Sequence, residues 1–350
     1  MRGAETTIDI VIPSWNGKRF LEVCLSSLRR QTCAGFHVIV VDNGSSDGSV
    51  EYLRAEFPEV EVVALHHNTG FSVDVNAGIA ASRAPHVLLL NNDMEVAEDC
   101  LAELMAAMGR YPEADAFALK MINFHQRHLL DGAGDAFLRG GVGYRLGTME
   151  ADGPVYSTDR PVFGACAGAA LYRRDFFTEA GLFDPEFFAY LEDVDLNLRA
   201  ARLGKKMVYI ATARVYHLGS ATSGSKFNPL TIRLSTRNNL FVLAKNYPLG
   251  LLLRFLPALL VYQAAWLLFC LKKGMIGPYL RGIFEGLGRF SDFVRKGGEF
   301  RSRPGLLPVD KFASMLAAAE GEAIASIMRR RSASGKTNGL LSLYRSIFLR

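Results

Sequence analysis

Short β-branched runs alternate with stretches of helical apolar spacing through the first 120 residues, and no other feature limits the fold as strongly. Ile8–Pro13 and Phe36–Val41 have the composition of buried strands, and Arg19–Arg30 between them carries apolar residues at helical spacing. The alternation continues with strands predicted at Val60–Leu65, His86–Leu90 and Ala114–Leu119, and with helices predicted at Ser72–Ser82 and Leu101–Met108. This pattern predicts an α/β fold in which a mostly parallel sheet has helices on both faces.

Polar residues follow three of these predicted strands. Asp42, Asn68 and Asp93 each come shortly after an apolar run. Ligands of parallel sheets bind beyond the carboxyl ends of the strands, so the sequence predicts a ligand site at this edge.

Asp42 and Asp93 have side chains suited to different parts of a nucleotide. Asp42 precedes the turn sequence Asn43-Gly44-Ser45-Ser46, and its carboxylate can accept hydrogen bonds from a nucleobase imide or a ribose hydroxyl. A simple Asx-turn that caps the next helix is the alternative. Asp93 ends the string Leu89-Leu90-Asn91-Asn92-Asp93, where a buried carboxylate is costly unless it is paired or bound to a metal. Asp93 is therefore a candidate ligand for a Mg²⁺ or Mn²⁺ ion that bridges a diphosphate. The alternative is that Asp93 caps a helix.

The densest group of acids lies between Phe183 and Arg199, where Glu192, Asp193 and Asp195 stand among aromatic and aliphatic residues. On a helix, Asp195 and Arg199 have i,i+4 spacing and are predicted to pair. Glu192 and Asp193 have no such local partner. Neighbouring acids and apolar surroundings raise the pKa of a carboxyl group, which suits a general base, although an acidic helix start is the structural alternative.

The region around this acidic block is less regular. Residues 121–165 are rich in Gly, with hairpin strands predicted around Phe137–Tyr144, and such a loop-rich stretch suits the binding of a second substrate. Tyr190–Leu203 is predicted to be helical. His217 follows Arg214-Val215-Tyr216 and is a candidate metal ligand or hydrogen-bond donor to a phosphate. A lone histidine is more often structural.

The chain changes character at Leu249, where an almost entirely apolar stretch runs to Leu271, interrupted by Arg254 and Pro257. The uncharged part, Phe255–Leu271, makes a helix of roughly 25 Å, shorter than the roughly 30 Å hydrocarbon core of a bilayer. Three later segments place apolar residues beside basic ones: Tyr279–Val294, Phe312–Arg331 and Leu340–Arg350. The pattern favours helices that lie in the membrane interface, and a spanning helix remains the rival interpretation.

Charge and cysteine content indicate the partners and the compartment. The net charge is +5, and the excess of Lys and Arg is confined to residues 245–350, whereas acids outnumber bases before them. Because apolar runs are interleaved with this basic charge, anionic lipid is the expected partner rather than nucleic acid. The five cysteines are scattered without a C-x-x-C motif, and no signal-peptide segment precedes the first strand. We therefore expect a reducing compartment, at the cytoplasmic face of the cell (inner) membrane.

Five ordered motifs over residues 8–245 resemble family 2 glycosyltransferases, and within them the rhamnosyltransferase-like branch. The motifs are Val11-Ile12-Pro13-Ser14-Trp15-Asn16, the Asp42–Asp47 turn, Asn68-x-Gly70-Phe71 with Asn76-x-Gly78-Ile79, Asn91-Asn92-Asp93, and Glu192-Asp193-x-Asp195-Leu196. Arg237-Asn238 also matches that branch. Ser72-Val73-Asp74-Val75 departs from the small, Gly-rich residues usual in the family. The resemblance implies a GT-A-type, Rossmann-like fold and an inverting displacement.

The resemblance also implies roles for individual residues. Pro13 and Asn16 would line the nucleotide pocket, and Asp42 would bind the base. Asp93 matches the metal-binding end of the D-x-D motif, although Asn91 stands where the motif often has its first Asp. His217 would contact the metal or the diphosphate, and Arg237 the diphosphate. Asp193 matches the base that deprotonates the acceptor, with Glu192 beside it. The other substrate-binding candidates are Ser14, Asn68, Gly70, Phe71, Asn76 and Asn92.

The resulting hypothesis is a metal-dependent glycosyltransferase. It would transfer a sugar, with rhamnose from dTDP-rhamnose as the leading donor and UDP as the other nucleotide considered, to a lipid-linked or cell-envelope glycan. A GT-A domain is expected at residues 1–245 and a helical, membrane-associating region at 246–350. The alternatives are a non-catalytic nucleotide-sugar-binding scaffold and another nucleotide-using α/β enzyme. The second is disfavoured because no G-x-G-x-x-G follows the first strand.

Overall fold

A computed structural model describes residues 6–219 and 227–349. The chain forms two compact units, each assembled from separate stretches of sequence. The first unit comprises Met1–Asp135, Arg145–Phe188 and Lys206–Gly224, and the second comprises Ala136–Tyr144, Ala189–Lys205 and Ser225–Arg350. The domain boundary expected at residue 245 stays a prediction.

A ten-stranded mixed sheet forms the first unit. Its strands are β1 (Ile8–Ser14), β2 (Phe36–Asp42), β3 (Glu61–Ala64), β4 (His86–Leu90), β5 (Met94–Val96), β6 (Ala116–Asn123), β7 (Leu130–Ala133), β10 (Arg160–Val162), β11 (Ala169–Arg173) and β12 (Met207–His217). The separate hairpin pairs β8 (Asp135–Leu138) with β9 (Val142–Arg145). The order across the sheet is β10-β12-β6-β11-β4-β1-β2-β3, with β5 paired to β12 and β7 paired to β6.

Helices cover this sheet because its central strands are apolar on both faces. They are α1 (Lys18–Arg29), α2 (Ser49–Glu56), α3 (Phe71–Ala81), α4 (Cys100–Arg110) and α5 (Arg174–Ala180). Ile10 and Ile12 of β1 belong to the same buried cluster as Leu21 of α1. On the other face, the missing side chain of Gly78 lets α3 lie directly on Val11, where an added Cβ would stand 2.2 Å from the Val11 Cγ1 atom.

The predicted α/β fold is confirmed, with one reversal that the sequence pattern did not indicate. β1, β2, β3 and β4 are parallel neighbours, as the strand–helix alternation predicted. β11 then runs antiparallel between β4 and β6, and β12 returns parallel to β6. The short strands β5, β7 and β10 were also not predicted. Each pairs antiparallel at the side of β6 or β12.

The second unit is mostly helical. It contains α6 (Glu192–Arg202), α7 (Pro229–Asn246), α8 (Leu249–Lys272), α9 (Ile276–Gly288), α10 (Phe290–Arg301), α11 (Val309–Ala333) and α12 (Gly339–Phe348), together with residues 136–144 of the hairpin. Phe241 of α7 stacks on Phe293 of α10 with ring centroids 3.8 Å apart. The expected helical character of the C-terminal region is confirmed.

The structure adds two details to the C-terminal prediction. Pro257 lies inside the continuous helix α8, as the helix predicted from Phe255 to Leu271 implies. The segment Tyr279–Val294 is not one helix, since α9 ends at Gly288 and α10 begins at Phe290. Among the described residues, α8 is the single helix with the length and apolar composition needed to cross a bilayer.

Candidate functional site

The carboxyl ends of three neighbouring strands bring polar side chains to one edge of the first unit. Pro13 and Ser14, at the end of β1, stand opposite Val41 and Asp42 in the parallel register with β2. Asn92, just beyond β4, donates from its Nδ2 to the Ser14 Oγ over 3.0 Å. The edge predicted from the sequence therefore exists, because parallel strands end on the same side of a sheet.

The turn after β2 is held by reciprocal hydrogen bonds with Asn16. The Asn16 backbone N–H donates to the Ser45 Oγ over 2.9 Å, and the Asn16 Oδ1 accepts from the Ser46 N–H over 2.9 Å. Asn16 has a φ of +48°, a left-handed conformation that asparagine tolerates better than most residues.

The carboxyl group of Asp42 lies within this frame. Its Oδ2 accepts from the Ser45 N–H over 3.0 Å, while its Oδ1 is buried with no hydrogen-bond partner among the described residues. A buried acceptor without a donor is costly, so Asp42 has the chemistry to receive a donor N–H or O–H from a ligand.

Asn43 fixes the loop that leads into α3. Its Oδ1 accepts from the Thr69 N–H over 2.9 Å, and its Nδ2 donates to the Gly70 carbonyl over 3.3 Å. The Asn68 Oδ1 accepts from the Gly70 N–H over 2.9 Å, which completes the turn. Gly70 has a φ of +86°, and a Cβ there would stand within 2.7 Å of Phe188, so this turn requires glycine.

Phe71 and Asn76 both face Phe183 within the first unit. The rings of Phe71 and Phe183 meet edge to face with centroids 6.5 Å apart. Asn76 donates from its Nδ2 to the Phe183 carbonyl over 2.8 Å and accepts from the Phe183 N–H over 3.1 Å. These contacts give both residues a structural explanation, and their roles in substrate binding stay predictions.

A carboxylate–histidine–carboxylate arrangement lies beyond β4. β5 pairs with the end of β12, which brings His217 opposite Met94 and places its Nε2 3.4 Å from the Asp93 Oδ2. β7 pairs with β6 beside β12 and supplies Asp131, whose Oδ2 lies 2.6 Å from the His217 Nδ1. Arg145 also donates to that Asp131 oxygen, over 2.9 Å.

These side chains fit a divalent cation. The Asp93 Oδ1 is buried and has no hydrogen-bond partner among the described residues. Asp131 holds the Nδ1 side of the imidazole, which leaves Nε2 directed toward Asp93. Metal-binding histidines in proteins usually have this support from a carboxylate, and Asp93 with His217 supplies an oxygen and a nitrogen ligand.

Protonation of His217 follows from the same contacts. Burial by itself lowers the pKa of the imidazole, but its hydrogen bonds to Asp131 and Asp93 outweigh that effect and raise the pKa to about 9. The imidazole therefore carries a positive charge at neutral pH. A cation bound to Nε2 would replace that proton.

The acidic block lies in the second unit, at the start of α6. Tyr190 and Leu191, just before the helix, have φ values of +71° and +66°, which cost about 1–3 kcal/mol each for residues with side chains. Asn238 of α7 holds this segment, because its Nδ2 donates to the carbonyls of Ala189 and Tyr190 over 2.9 and 2.7 Å. Backbone strain stabilised by the surrounding structure is common at functional sites.

The three acids of this block have different environments. Burial, and then the negative charge of Asp193, raise the pKa of Glu192 to about 8, so Glu192 holds its proton at neutral pH. Burial alone would also raise the pKa of Asp195. The charges of Arg199 and Lys245 and a hydrogen bond from Asn246 outweigh it and lower that pKa to about 2.

The pairing of Asp195 with Arg199 is confirmed, with Nη2 of the arginine 2.9 Å from the Asp195 Oδ2. Asp195 is therefore structural. Arg237 lies on α7, where its Nε donates to the Asn238 Oδ1 over 2.8 Å and its guanidinium lies 5.3 Å from the centroid of the Phe241 ring. Its predicted contact with a diphosphate stays a prediction.

The fold is similar to that of solved GT-A-type glycosyltransferases. Matching structures include S. aureus TarS residues 1–349 in complex with UDP-GlcNAc, with a TM-score of 0.54 and 15% identity over 94% of this chain and 92% of that one. GalNAc-T7 with UDP, GalNAc and Mn²⁺ matches with a TM-score of 0.54 and 19% identity over 69% of this chain. This chain spans about half the length of that protein, with 48% covered.

Sequence comparison points to the same class of protein. Residues 9–181 match the family described as Glycosyl transferase family 2. The N-acetylglucosaminyl-diphospho-decaprenol L-rhamnosyltransferase of Mycobacterium tuberculosis is 28% identical over 239 residues, covering 62% of this chain and 78% of that protein. A PGL/p-HBAD biosynthesis glycosyltransferase of Mycobacterium bovis is 26% identical over 260 residues, covering 70% and 92%. The predicted family resemblance is confirmed.

Asp131, Asn238 and Asp74 are the notable residues of these sites that the sequence analysis did not select as candidates. Asp131 stands 86 positions from His217 and in a Gly-rich stretch, so no spacing rule connects the two. Asn238 was noted only as the neighbour of Arg237. Asp74 was noted only as a departure from the family pattern.

Proposed function

We propose that this chain transfers a sugar with inversion from a nucleoside diphosphate to a lipid-linked glycan acceptor, with rhamnose from dTDP-rhamnose as the leading donor. The observation that carries the proposal concerns Asp42, at the end of β2, and Asp93, just beyond β4. Each has a buried carboxylate oxygen with no hydrogen-bond partner within residues 6–219 and 227–349. One is suited to a hydrogen-bond donor of the nucleoside, and the other to a cation on the diphosphate.

The proposed donor site uses the residues at the strand ends. Asp42 accepts a hydrogen bond from the nucleoside, and Pro13, Ser14 and Asn16 line the same edge. Asp93 and His217 would hold Mg²⁺ or Mn²⁺, and Asp131 would orient the imidazole. A bound divalent cation would supply Lewis-acid stabilisation for the negative charge that grows on the leaving diphosphate.

The proposed proton acceptor is Asp193. Its carboxylate takes the proton of the acceptor hydroxyl, which makes that oxygen a stronger nucleophile and contributes about 10²–10⁴-fold in rate. Glu192, which is protonated at neutral pH, keeps the negative charge of the block low. Attack on the face of the sugar opposite the leaving group inverts the anomeric centre. Arg237 is proposed to contact the diphosphate.

A polyprenyl-diphosphate-linked N-acetylglucosamine is the proposed acceptor class. The name of the M. tuberculosis relative supports this class, because that protein acts on N-acetylglucosaminyl-diphospho-decaprenol. An acceptor with a lipid tail stays at a membrane, so the enzyme must work at a membrane surface. We place that work at the cytoplasmic face.

We further propose that α8 lies in the membrane interface rather than across the bilayer. Its inward residues Leu251, Phe255 and Leu259 are buried within the second unit. The Gln263 Nε2 donates a hydrogen bond to the Asn239 Oδ1 of α7. Cys270, near the end of the helix, is also buried. These protein contacts are spread along α8, so its outer face is the part available for lipid.

That outer face is apolar and has basic residues at its end. Its exposed large side chains are Leu249, Leu253, Leu256, Leu260, Val261, Leu268 and Leu271. Lys272 and Lys273 follow and are exposed. Apolar side chains that enter the interface and lysines that meet anionic headgroups are the two components of peripheral membrane binding.

The test is turnover of a panel of nucleotide sugars, including dTDP-rhamnose and UDP-sugars, with a polyprenyl-diphosphate N-acetylglucosamine and Mn²⁺. Asp193→Asn should retain nucleoside diphosphate binding and lose transfer by about 10²–10⁴-fold. Asp310→Asn, at an exposed ion pair with Arg254, serves as the control and should retain activity. Transfer by Asp193→Asn at the wild-type rate would exclude Asp193 as the base, and no transfer from any donor would exclude the proposed function.

A further inference from the structure

Asp74 is a buried acid that the proposed mechanism does not use. It lies in the first turns of α3, its exposed fraction is 3%, and its Oδ1 has no hydrogen-bond partner among the described residues. Gly78 follows one turn later on the same face, where an added Cβ would stand 3.0 Å from the Val41 Cγ2 of β2. Because side chains four positions apart share a helix face, Asp74 is directed toward the end of β2, where Asp42 lies.

The two acids act on each other. Burial, and then the negative charge of Asp42, raise the pKa of Asp74 to about 9, while a hydrogen bond from Asn43 lowers it only in part. Asp74 is therefore a neutral carboxylic acid at neutral pH. It offers an O–H donor beside Asp42, which offers a carboxylate acceptor.

Both acids are more than nine-tenths buried, and each has one oxygen with no hydrogen-bond partner in the part of the chain that the structure describes. A buried polar atom of this kind costs free energy unless a ligand supplies its hydrogen-bond partner. A nucleobase imide has the complementary edge, since its N–H donor stands next to a carbonyl acceptor.

We propose that Asp74 and Asp42 together bind the imide edge of the donor nucleobase, with Asp74 as a further base-binding residue. This inference rests on the nucleotide site proposed above. The imide N–H donates to the Asp42 carboxylate, and the Asp74 O–H donates to the neighbouring base carbonyl.

The experiment is calorimetric titration of the full chain, with Mn²⁺ present, using UDP and the base-free ribose 5-diphosphate. Asp74→Ala should weaken UDP binding by about tenfold, the effect of one lost hydrogen bond, and leave ribose 5-diphosphate binding unchanged. Asp74→Asn keeps a donor N–H and should remain within about threefold of the wild type. An equal loss for both ligands, or no loss for UDP, would overturn the proposal.

Two controls separate this role from a structural one. Ser82→Ala removes a buried hydroxyl at the end of the same helix whose Oγ donates to the Gly78 carbonyl over 2.8 Å, and it should not change UDP binding. A second measurement needs no variant. In the wild type, 2-thio-UDP or 4-thio-UDP should bind more weakly than UDP, because sulfur is a poorer acceptor than oxygen, and equal binding of all three ligands would contradict the Asp74 contact.

The outcome also distinguishes this inference from the proposed function. If the wild-type protein binds none of these nucleotides, both the proposed nucleotide site and the Asp74 contact are excluded. If the wild type and Asp74→Ala bind UDP with the same affinity, only the Asp74 contact is excluded.

Discussion

The imidazole Nδ1 of His217 lies 2.6 Å from the Oδ2 of Asp131, although 86 residues separate them in the chain. The contact depends on three adjacent strands, since β7 carries Asp131, β12 ends at His217, and β6 lies between them. Because Asp131 occupies Nδ1, the other ring nitrogen faces Asp93, at 3.4 Å. In the proposed metal site, Asp131 would therefore determine which nitrogen of His217 can bind a cation.

Replacing Asp131 should weaken cation binding without removing a ligand. Asp131→Ala frees the imidazole to rotate and to change tautomer, so we expect Mn²⁺ affinity to fall by about 10–100-fold. Calorimetric titration of Mn²⁺ measures this directly. Asp99→Asn, which breaks an ion pair with Arg214 on the first unit, should leave the affinity unchanged. Wild-type Mn²⁺ affinity in Asp131→Ala would mean that Asp131 does not orient His217 for a metal.

The sequence predicted the parallel half of the sheet because each strand there is a continuous apolar run bounded by a helix. It did not predict β5, β7 or β10, which are three or four residues long and have no periodicity of their own. These short strands exist because β6 and β12 offer edges for pairing. Since Asp131 and the position of His217 depend on them, that part of the site could not be predicted from local pattern.

The acidic block also combines a contact that the sequence predicted with contacts that it could not predict. The i,i+4 spacing was enough to predict the pair of Asp195 and Arg199. The partners Lys245 and Asn246 come from α7, some fifty residues later, and only the tertiary fold brings them to Asp195. Asn238 likewise holds backbone carbonyls, an interaction that leaves no signature in the sequence.

The titration of Glu192 should lower the free energy of unfolding as the pH rises. Folding raises the pKa of this group from 4.5 to about 8, so the folded state binds the proton more tightly than the unfolded state does. The stabilisation is fully present below pH 4.5 and is lost as the pH rises through about 8. Glu192→Gln cannot titrate, so its free energy of unfolding should not show this fall. Between pH 5 and pH 9, the free energy of unfolding of the variant should therefore rise relative to that of the wild type, by on the order of a few kcal/mol.

Urea unfolding of both proteins at pH 5, 7 and 9 measures this difference. Glu322→Gln, at an exposed acid on α11, is the matched control and should follow the wild type at each pH. A constant difference between Glu192→Gln and the wild type across this range would show that Glu192 is not protonated in the folded protein.

Asn238 should matter more for catalysis than its neighbour Asn239. Asn238→Ala removes both hydrogen bonds to the strained segment before α6, which should cost about 2 kcal/mol of stability and lower kcat by about 10²-fold through misplacement of the acids. Asn239 is equally buried, and its Nδ2 donates to the Gly140 carbonyl over 2.8 Å. Asn239→Ala should therefore lose similar stability and little activity. Thermal unfolding and steady-state kinetics of the two variants test the distinction, and equal loss of kcat in both would contradict it.

The outer face of α8 should control membrane binding. Leu253 and Leu260 are 62% and 60% exposed and lie two turns apart on the same face. Because burial of one leucine side chain contributes about 1.5–3 kcal/mol, Leu253→Glu and Leu260→Glu should each weaken binding to anionic vesicles by about tenfold or more. Leu182→Glu, at an exposed leucine of the first unit, is the control for the same substitution.

Co-sedimentation at increasing salt should also show weaker binding of the wild type, because screening reduces the attraction between lysines and headgroups. Retention of the wild type after carbonate extraction would instead show that α8 spans the bilayer.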